Sequence, residues 1–401
     1  MNILYLCDEY PPGRHGGIGT SVRLLARQIV KLGHNVVVAG LYPPGYGGLD
    51  EFDDDGVKVY RFRRGFDFKF LGDEGSLLSR VGYRLLKNAG LLDRDLKKSL
   101  AIYKVRLEEI IDKHRVNIVE MADYNDYIRF CRNYLPFPKL SVPVVIKMNG
   151  SITYFNGEAG NPIPGHILQM EQTILNQATE VVAVSKYTAI KSAGYLSYDK
   201  VISVFHNGIN TDVPVTNVVK HPMQVIFTGT LVEKKGIYQL AKAWNIVHRQ
   251  IPAARLLILG KGSRRKVVAN LSASATGSVT FMGHVSTECL YDCLKSSVVG
   301  IFPSYAEAFA LAPLEAMACG IAVINSNRTS GPELIENEVD GLLIDPDNIE
   351  QIATAIIRLL KNSDLRKALA KKGNDKVKRE FEICKIADQN IRFYQKALAN
   401  P

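Results

Sequence analysis

Short runs of β-branched and aromatic residues alternate along most of the chain with longer stretches whose apolar residues recur every three to four positions. The first pattern marks buried strands and the second marks helices covering them, so the alternation predicts parallel sheets with crossover helices. In the first half, strands are expected at Ile3–Leu6, Val36–Ala39, Val57–Arg61, Ile118–Met121, Val144–Lys147, Val181–Val184 and Ile202–Phe205. In the second half they are expected at Val225–Phe227, Arg255–Ile258, Ser278–Phe281, Val299–Phe302, Ala322–Ile324 and Gly341–Ile344. Helices between them include Ser21–Leu32, Gly236–Arg249 and Ile349–Lys361. Around His206–Pro222 the periodicity stops, and Gly, Asn, Thr, Asp and two prolines gather, which marks a linker. Two α/β units of similar size are therefore expected, 1–207 and 208–384, with a ligand cleft between them. The last segment, Glu380–Pro401, is helical beyond what the second unit needs.

Composition narrows the class without choosing a chemistry. A chain of 401 residues suits two domains, and 46% hydrophobic with 22% charged residues is ordinary for a soluble globular protein. No apolar run approaches the ~18 residues of a membrane span. The start, Met1–Cys7, passes straight into strand-like sequence with neither a basic lead nor a small-residue cleavage site, so a cytoplasmic protein without a signal peptide is expected. Six cysteines are scattered, and Cys289 and Cys293, four apart, fit neither a redox pair nor a zinc knuckle; buried free thiols are expected. The net charge is +10, and between Arg80 and Arg115 ten Lys or Arg face five acids on a helical pattern that also carries Leu85, Leu91, Leu96, Ile102 and Val105. Such a stretch suits peripheral docking on an anionic leaflet, or equally a solvated face of a helix packed on its own domain. No nucleic-acid motif accompanies the charge.

The chemistry concentrates in Pro303–Gly320, P-S-Y-A-E-A-F-A-L-A-P-L-E-A-M-A-C-G, which follows an apolar strand. Glu307 falls in the strand-to-helix turn, and Glu315 eight residues later in the helix. The first-turn amides between them, with the positive end of the helix dipole behind, suit an anion such as a diphosphate, and the carboxylates suit polyol hydroxyls. Spacing alone fits a solvated glutamate pair as well. Word for word, however, the segment resembles the Glu-x7-Glu signature of retaining glycosyltransferases of family 4. These have the GT-B fold, two Rossmann-like doubly wound parallel-sheet domains facing a central cleft. The resemblance implies that Glu307 contacts a donor sugar, that the backbone of Phe309, Ala310 and Leu311 binds the diphosphate, and that Glu315 holds the nucleotide ribose. Ala310 stands where the family usually has Gly.

Further motifs extend the resemblance over nearly the whole chain. P-P-G-R-H-G-G-I-G-T, Pro11–Thr20, follows the first strand, and Gly16, Gly17 and Gly19 let its backbone turn tightly beside a helix start. It is not a dinucleotide fingerprint, because the glycines are misplaced and no acid ends the second strand. It resembles the acceptor-side opening of the same family, which makes 1–207 the acceptor-side domain and 208–384 the donor-binding one, with helix 385–401 crossing back onto the first. F-T-G-T-L-V-E-K-K-G, Phe227–Gly236, matches the family's phosphate element at Gly229, Lys235 and Gly236, but Thr230 replaces its arginine. Lys234, Lys261 or Arg328 are the available substitutes for that cation. In I-K-M-N-G-S, Asn149 stands where the family commonly has a histidine over the donor sugar, and an amide carries neither proton nor charge. The implied activity is transfer of a sugar from a nucleotide diphosphate sugar to a glycan or lipid-linked hydroxyl. No cofactor and no metal are expected, since no Asp-x-Asp-like cluster accompanies the phosphate elements, and Asp53–Asp55 reads as a solvated loop run. Asn149 and Thr230 also fit a catalytically silent subunit that binds a glycan or stabilises a partner enzyme.

Overall fold

Fourteen strands form two sheets among the described residues of this computed structural model. Those residues are 1–13, 15–43, 46–64, 77–214 and 217–399, without the side chains of 77–80 and 83. Arg14 of the glycine-rich segment, the Arg80 side chain, and residues 215, 216, 400 and 401 of the predicted linker and tail lie outside them. The chain divides into two compact units, Met1–Gly208 with the stretch from Cys384, and Ile209–Ile383.

The first unit contains β1 (Asn2–Leu6), β2 (Asn35–Tyr42), β3 (Glu51–Asp54), β4 (Val57–Arg63), β5 (Ile118–Ala122), β6 (Val144–Met148), β7 (Glu180–Ala183) and β8 (Ser203–Val204), in the order β3-β4-β2-β1-β5-β6-β7-β8. All neighbours are parallel except β3 and β4. Helices cover both faces, so the central strands are buried along almost their whole length rather than on alternate residues. Leu4, Leu6, Val119, Met121 and Ile146 pack against Leu96, Leu100 and Leu107 of helix Leu91–His114. On the opposite face of β1 and β5, Tyr5 and Glu120 meet the returning helix Ile383–Ala399. There Tyr394 Oη donates to Glu120 Oε2 at 2.5 Å and lies 3.1 Å from Tyr5 Oη.

The second unit contains β9 (Gln224–Thr228), β10 (Arg255–Leu259), β11 (Val279–Gly283), β12 (Val299–Phe302), β13 (Ala322–Ser326) and β14 (Leu342–Ile344), all parallel, in the order β11-β10-β9-β12-β13-β14. Its core joins Val225, Phe227, Leu256 and Ile258 to Trp244 of helix Ile237–Gln250 and to Ile352, Ile356 and Leu359 of helix Ile349–Lys361. Two doubly wound parallel sheets are thus present, as expected.

Three sequence expectations change. β3 is not among the predicted strands, and it removes Asp54 from the solvated run. Asp54 is buried and accepts from Tyr10 Oη at 2.8 Å and from the guanidiniums of Arg23 and Arg27. The basic stretch is two helices, Leu77–Asn88 and Leu91–His114, broken at Gly90 with φ +69°. All six cysteines are unpaired, but only Cys7 and Cys131 are buried.

Candidate active site

In the second unit β9 and β12 are neighbours although β10 and β11 intervene in sequence. The sheet order reverses there, and open α/β sheets bind ligands beyond the carboxyl ends of the strands at such a switch point. After β9 the chain passes Gly229 and the exposed Thr230, makes a 3-10 turn at Glu233–Lys235, and enters helix Ile237–Gln250 at Gly236. Gly236 has φ +68°, and a Cβ there would lie 1.8 Å from the Pro303 carbonyl oxygen. Only glycine lets this turn pass so close to the segment leaving β12. That passage brings the two motifs together: Lys235 Nζ donates to Glu307 Oε1, and the Tyr305 amide donates to the Lys234 carbonyl at 2.8 Å. The Glu307 amide in turn donates to Thr329 Oγ1 at 3.3 Å. Burial pushes the Glu307 carboxyl up, but Lys235, Lys234 and a hydrogen bond from Ser304 outweigh it and hold the group below the usual glutamate range. Glu307 is therefore a carboxylate at neutral pH.

Glu315 is in the opposite situation. It lies in the body of helix Leu311–Ala318, with no hydrogen bond or ion pair to its side chain among the described residues, and burial pushes its carboxyl up to about 7. Between the two glutamates, Phe309 turns its ring inward, 5.9 Å from the ring of Phe381. Ala310 caps the helix with extended backbone, φ −88° and ψ 123°, a conformation that asks for no glycine, so its methyl group is accommodated. The helix is only eight residues long, shorter than the pattern suggests, but its first-turn amides, from Leu311 onward, have no intrahelical partner. Of the three cations able to stand in for the arginine absent at Thr230, Arg328 is committed elsewhere. Its Nη2 reaches Asp345 at 2.8 Å and Asp347 at 2.5 Å, and its guanidinium lies over the Tyr305 ring. Lys261 is exposed on the loop after β10, where its carbonyl accepts from the Leu231 amide at 2.8 Å, one residue past Thr230. Lys234 adds its charge beside Glu307.

In the first unit the sheet order reverses between β1 and β5; the glycine-rich candidates follow β1, and Asn149 follows β6, the neighbour of β5. Gly16 caps helix Gly17–Lys31, and Gly19 is buried in its first turn. A Cβ at Gly19 would lie 2.0 Å from the Glu9 carbonyl oxygen. The Glu9 carboxylate occupies this turn, accepting from the Gly19 amide at 2.9 Å and from the Gly16 amide. Asn149 follows β6, with its amide donating to Asp123 Oδ1 at 2.7 Å and its side-chain Nδ2 donating to the Lys147 carbonyl at 3.0 Å. Glu171 fixes the amides of Ile152 and Thr153, three and four residues on. Asp123, Glu171 and Glu9 are site-shaping residues that sequence reasoning missed. Asp123 was findable, as an acid immediately beyond the strand at the switch point. Among the described residues no group of three or more His, Cys, Asp or Glu is arranged to hold a metal ion.

Two family models match this chain. Glycosyl transferases group 1 matches residues 209–376, and Glycosyltransferase Family 4 matches residues 15–213. An uncharacterized glycosyltransferase of Methanocaldococcus jannaschii is 27% identical over 418 residues, covering 99% of both chains. Sucrose-phosphate synthase from Thermosynechococcus elongatus has a similar structure, with a TM-score of 0.75 at 19% identity over 100% of both chains. Anabaena HepE, solved in complex with UDP and glucose, matches with a TM-score of 0.65 at 16% identity, covering 99% of this chain and 100% of its own.

Proposed function

This chain belongs to the group 1, family 4 glycosyltransferases, enzymes of the GT-B fold, and from that premise we propose that it is a retaining enzyme using a nucleotide diphosphate sugar. The observation that carries the reading is the contrast between Glu307, held ionised by Lys235, and Glu315, eight residues on, with no hydrogen-bond or ion-pair partner for its carboxyl among the described residues. A half-buried carboxyl with no such partner keeps its acceptor capacity for a ligand, and ribose hydroxyls supply two donors. The bound UDP and glucose of HepE are ligands of the same kind.

In the proposed mechanism the backbone of Phe309, Ala310 and Leu311 at the helix start, with Lys235 and the backbone at Gly229 and Thr230, holds the diphosphate. Glu307 accepts from the donor sugar, and Glu315 from the ribose. Gly17 adds a backbone donor toward the leaving phosphate, on a turn whose Gly16 amide is held by Glu9, and Asn149 hydrogen-bonds the sugar near the reacting carbon. No protein nucleophile is assigned. The acceptor hydroxyl adds to the anomeric carbon on the face that the diphosphate leaves, forming the new C–O bond as the old one breaks, and the leaving phosphate takes the acceptor proton. Catalysis then consists of positioning and of electrostatic stabilisation of the leaving group, which cations and amides supply without a metal. The acceptor is a glycan or a lipid-linked glycan for surface polysaccharide or glycolipid synthesis, reached from the cytoplasmic side of an anionic membrane.

Calorimetric titration with UDP-glucose and GDP-mannose tests the site. The parent should bind at least one of them, and Glu315→Gln should weaken that binding by about 1.5–3 kcal/mol, the worth of hydrogen bonds to a charged group. Equal affinity in parent and variant would place the ribose elsewhere. Binding without any turnover would instead favour a silent subunit.

A further inference from the structure

Arg61 is the most thoroughly buried guanidinium described in the first unit, with 3% of its surface exposed and no ion pair among the described residues. It stands on β4, and three aromatic rings enclose it, those of Tyr42, Tyr46 and Phe52 at 4.8 to 5.2 Å from their centroids. Its Nη2 donates to the carbonyls of Tyr10 at 2.8 Å and Pro12 at 2.6 Å, and its Nη1 donates to those of Gly47 at 3.2 Å and Leu49 at 3.4 Å. The first pair lies on the loop after β1 and the second on the loop after β2. A buried charge facing only neutral oxygens and rings is a poor source of stability, since an apolar side chain of similar volume avoids its desolvation cost. What the guanidinium offers is geometry, because a planar fork fixes several carbonyls on two separate loops at once.

We propose that Arg61 is a positioning residue for the glycine-rich segment Pro11–Thr20, setting the backbone that the reading above assigns to the donor phosphates. The inference rests on that reading for its functional consequence, but not for the anchoring itself. The ring enclosure belongs to the same construction. Tyr42 Oη donates to the Cys7 carbonyl at 2.6 Å and accepts from the Tyr10 amide at 3.1 Å, while Tyr46 Oη donates to the Tyr10 carbonyl at 3.3 Å. The loop is thus held at Cys7, Tyr10 and Pro12, the residues that lead into the segment, by the group that packs around Arg61.

The test compares Arg61→Lys and Arg61→Met with the parent in three measurements. The first is UDP and GDP affinity, most of whose contacts the reading above places on the second unit. The second is hydrolysis of UDP-glucose and GDP-mannose. The third is amide hydrogen exchange of peptides covering 8–20 and 43–50. Both variants should bind the nucleotide within about twofold of the parent, lose about tenfold or more in hydrolysis, and lose protection in those two peptides while β5 and β6 exchange as before. Lysine should not rescue, since it keeps the charge and loses the fork. Parent-like hydrolysis in Arg61→Lys, or protection lost across the whole unit, would overturn the proposal. If the parent hydrolyses no donor, the proposed activity fails, and the exchange result in Arg61→Lys alone decides whether the loop is anchored here.

Discussion

Glu307 and Glu315 share one short segment, yet their environments drive their carboxyls in opposite directions, and that difference is measurable. Glu307 stays ionised because two lysines oppose the effect of its burial; Glu315, raised to about 7 by burial alone, changes charge in the neutral range. The carboxylate is a stronger acceptor than the acid for ribose hydroxyls. Affinity for UDP-glucose, whose diphosphate keeps its charge over this range, should therefore rise as pH increases through about 7. Glu315→Gln should flatten that profile. A parent profile already flat would remove Glu315 from the site. Lys235→Met should lower turnover more than it lowers nucleotide affinity, because it removes the cation that the proposed mechanism sets against the leaving group and frees Glu307 to rise toward neutrality. Both glutamates and Lys235 were legible in the sequence because their spacing is local. Their pairing was not: it depends on Gly236 letting one loop pass within contact distance of Pro303, 67 positions later by number, and no short window contains it. Glu9 was missed for a related reason. A carboxylate filling its own loop's amides looks in sequence like any other acid.

At the scale of elements, strands buried on both faces were plain to read, while the edge strand β3 was not. Glu-Phe-Asp-Asp reads as a polar loop because it holds one apolar residue, and the partners of its buried acid, Asp54, lie outside the segment: Tyr10, Arg23 and Arg27. The basic segment was legible in charge but not in shape. Helix Leu91–His114 turns Leu92, Leu96, Leu100 and Leu107 inward and leaves Arg94, Lys97, Lys98, Lys104 and Arg106 exposed, with Leu91, Ile102 and Val105 exposed among them. Of the acids nearby, Asp93 accepts from the amides of Arg132 and Asn133, so it faces its own domain. The outward face thus combines cations and apolar side chains with the exposed Glu109, which pairs with Arg106 at 2.8 Å, a pattern that suits an anionic leaflet and a solvated face alike. The protein should co-sediment with phosphatidylserine-containing vesicles at low salt and release as ionic strength rises. Arg94→Glu, Lys97→Glu and Lys98→Glu together should abolish sedimentation while leaving the fold intact, because all three side chains are exposed. Equal recovery with neutral vesicles would point to an acceptor free in solution.

For the whole molecule, the class of fold followed from the alternation of strand and helix, and the two sheets carry their candidate residues at or one strand from the point where the strand order reverses. The terminal helix adds a long-range tie that no local pattern encodes, Tyr394 to Glu120 across 274 positions. Tyr394→Phe should destabilise the first unit by about 1–3 kcal/mol, because the buried carboxylate loses a donor, and should lower its unfolding midpoint by roughly 3–8 °C. An unchanged midpoint would mean that the helix docks through apolar contacts such as the Phe205–Phe393 ring pair alone. Stability should also respond to pH through Asp8 and Asp123, both pushed up to about 7 by burial. Raised carboxyls favour the protonated native state, so their contribution is complete below the unfolded carboxyl range and is lost as pH rises through about 7. The central claim, a nucleotide-sugar-dependent transferase working through Lys235 and the two glutamates without a metal, has one most direct test. It is release of nucleoside diphosphate from a panel of UDP- and GDP-sugars by the purified protein in excess EDTA. The account predicts slow release from at least one donor, undiminished by EDTA and lost in Glu307→Ala. Failure of the folded parent to release nucleotide from any donor, or activity abolished by EDTA and restored by Mg²⁺ or Mn²⁺, would contradict it.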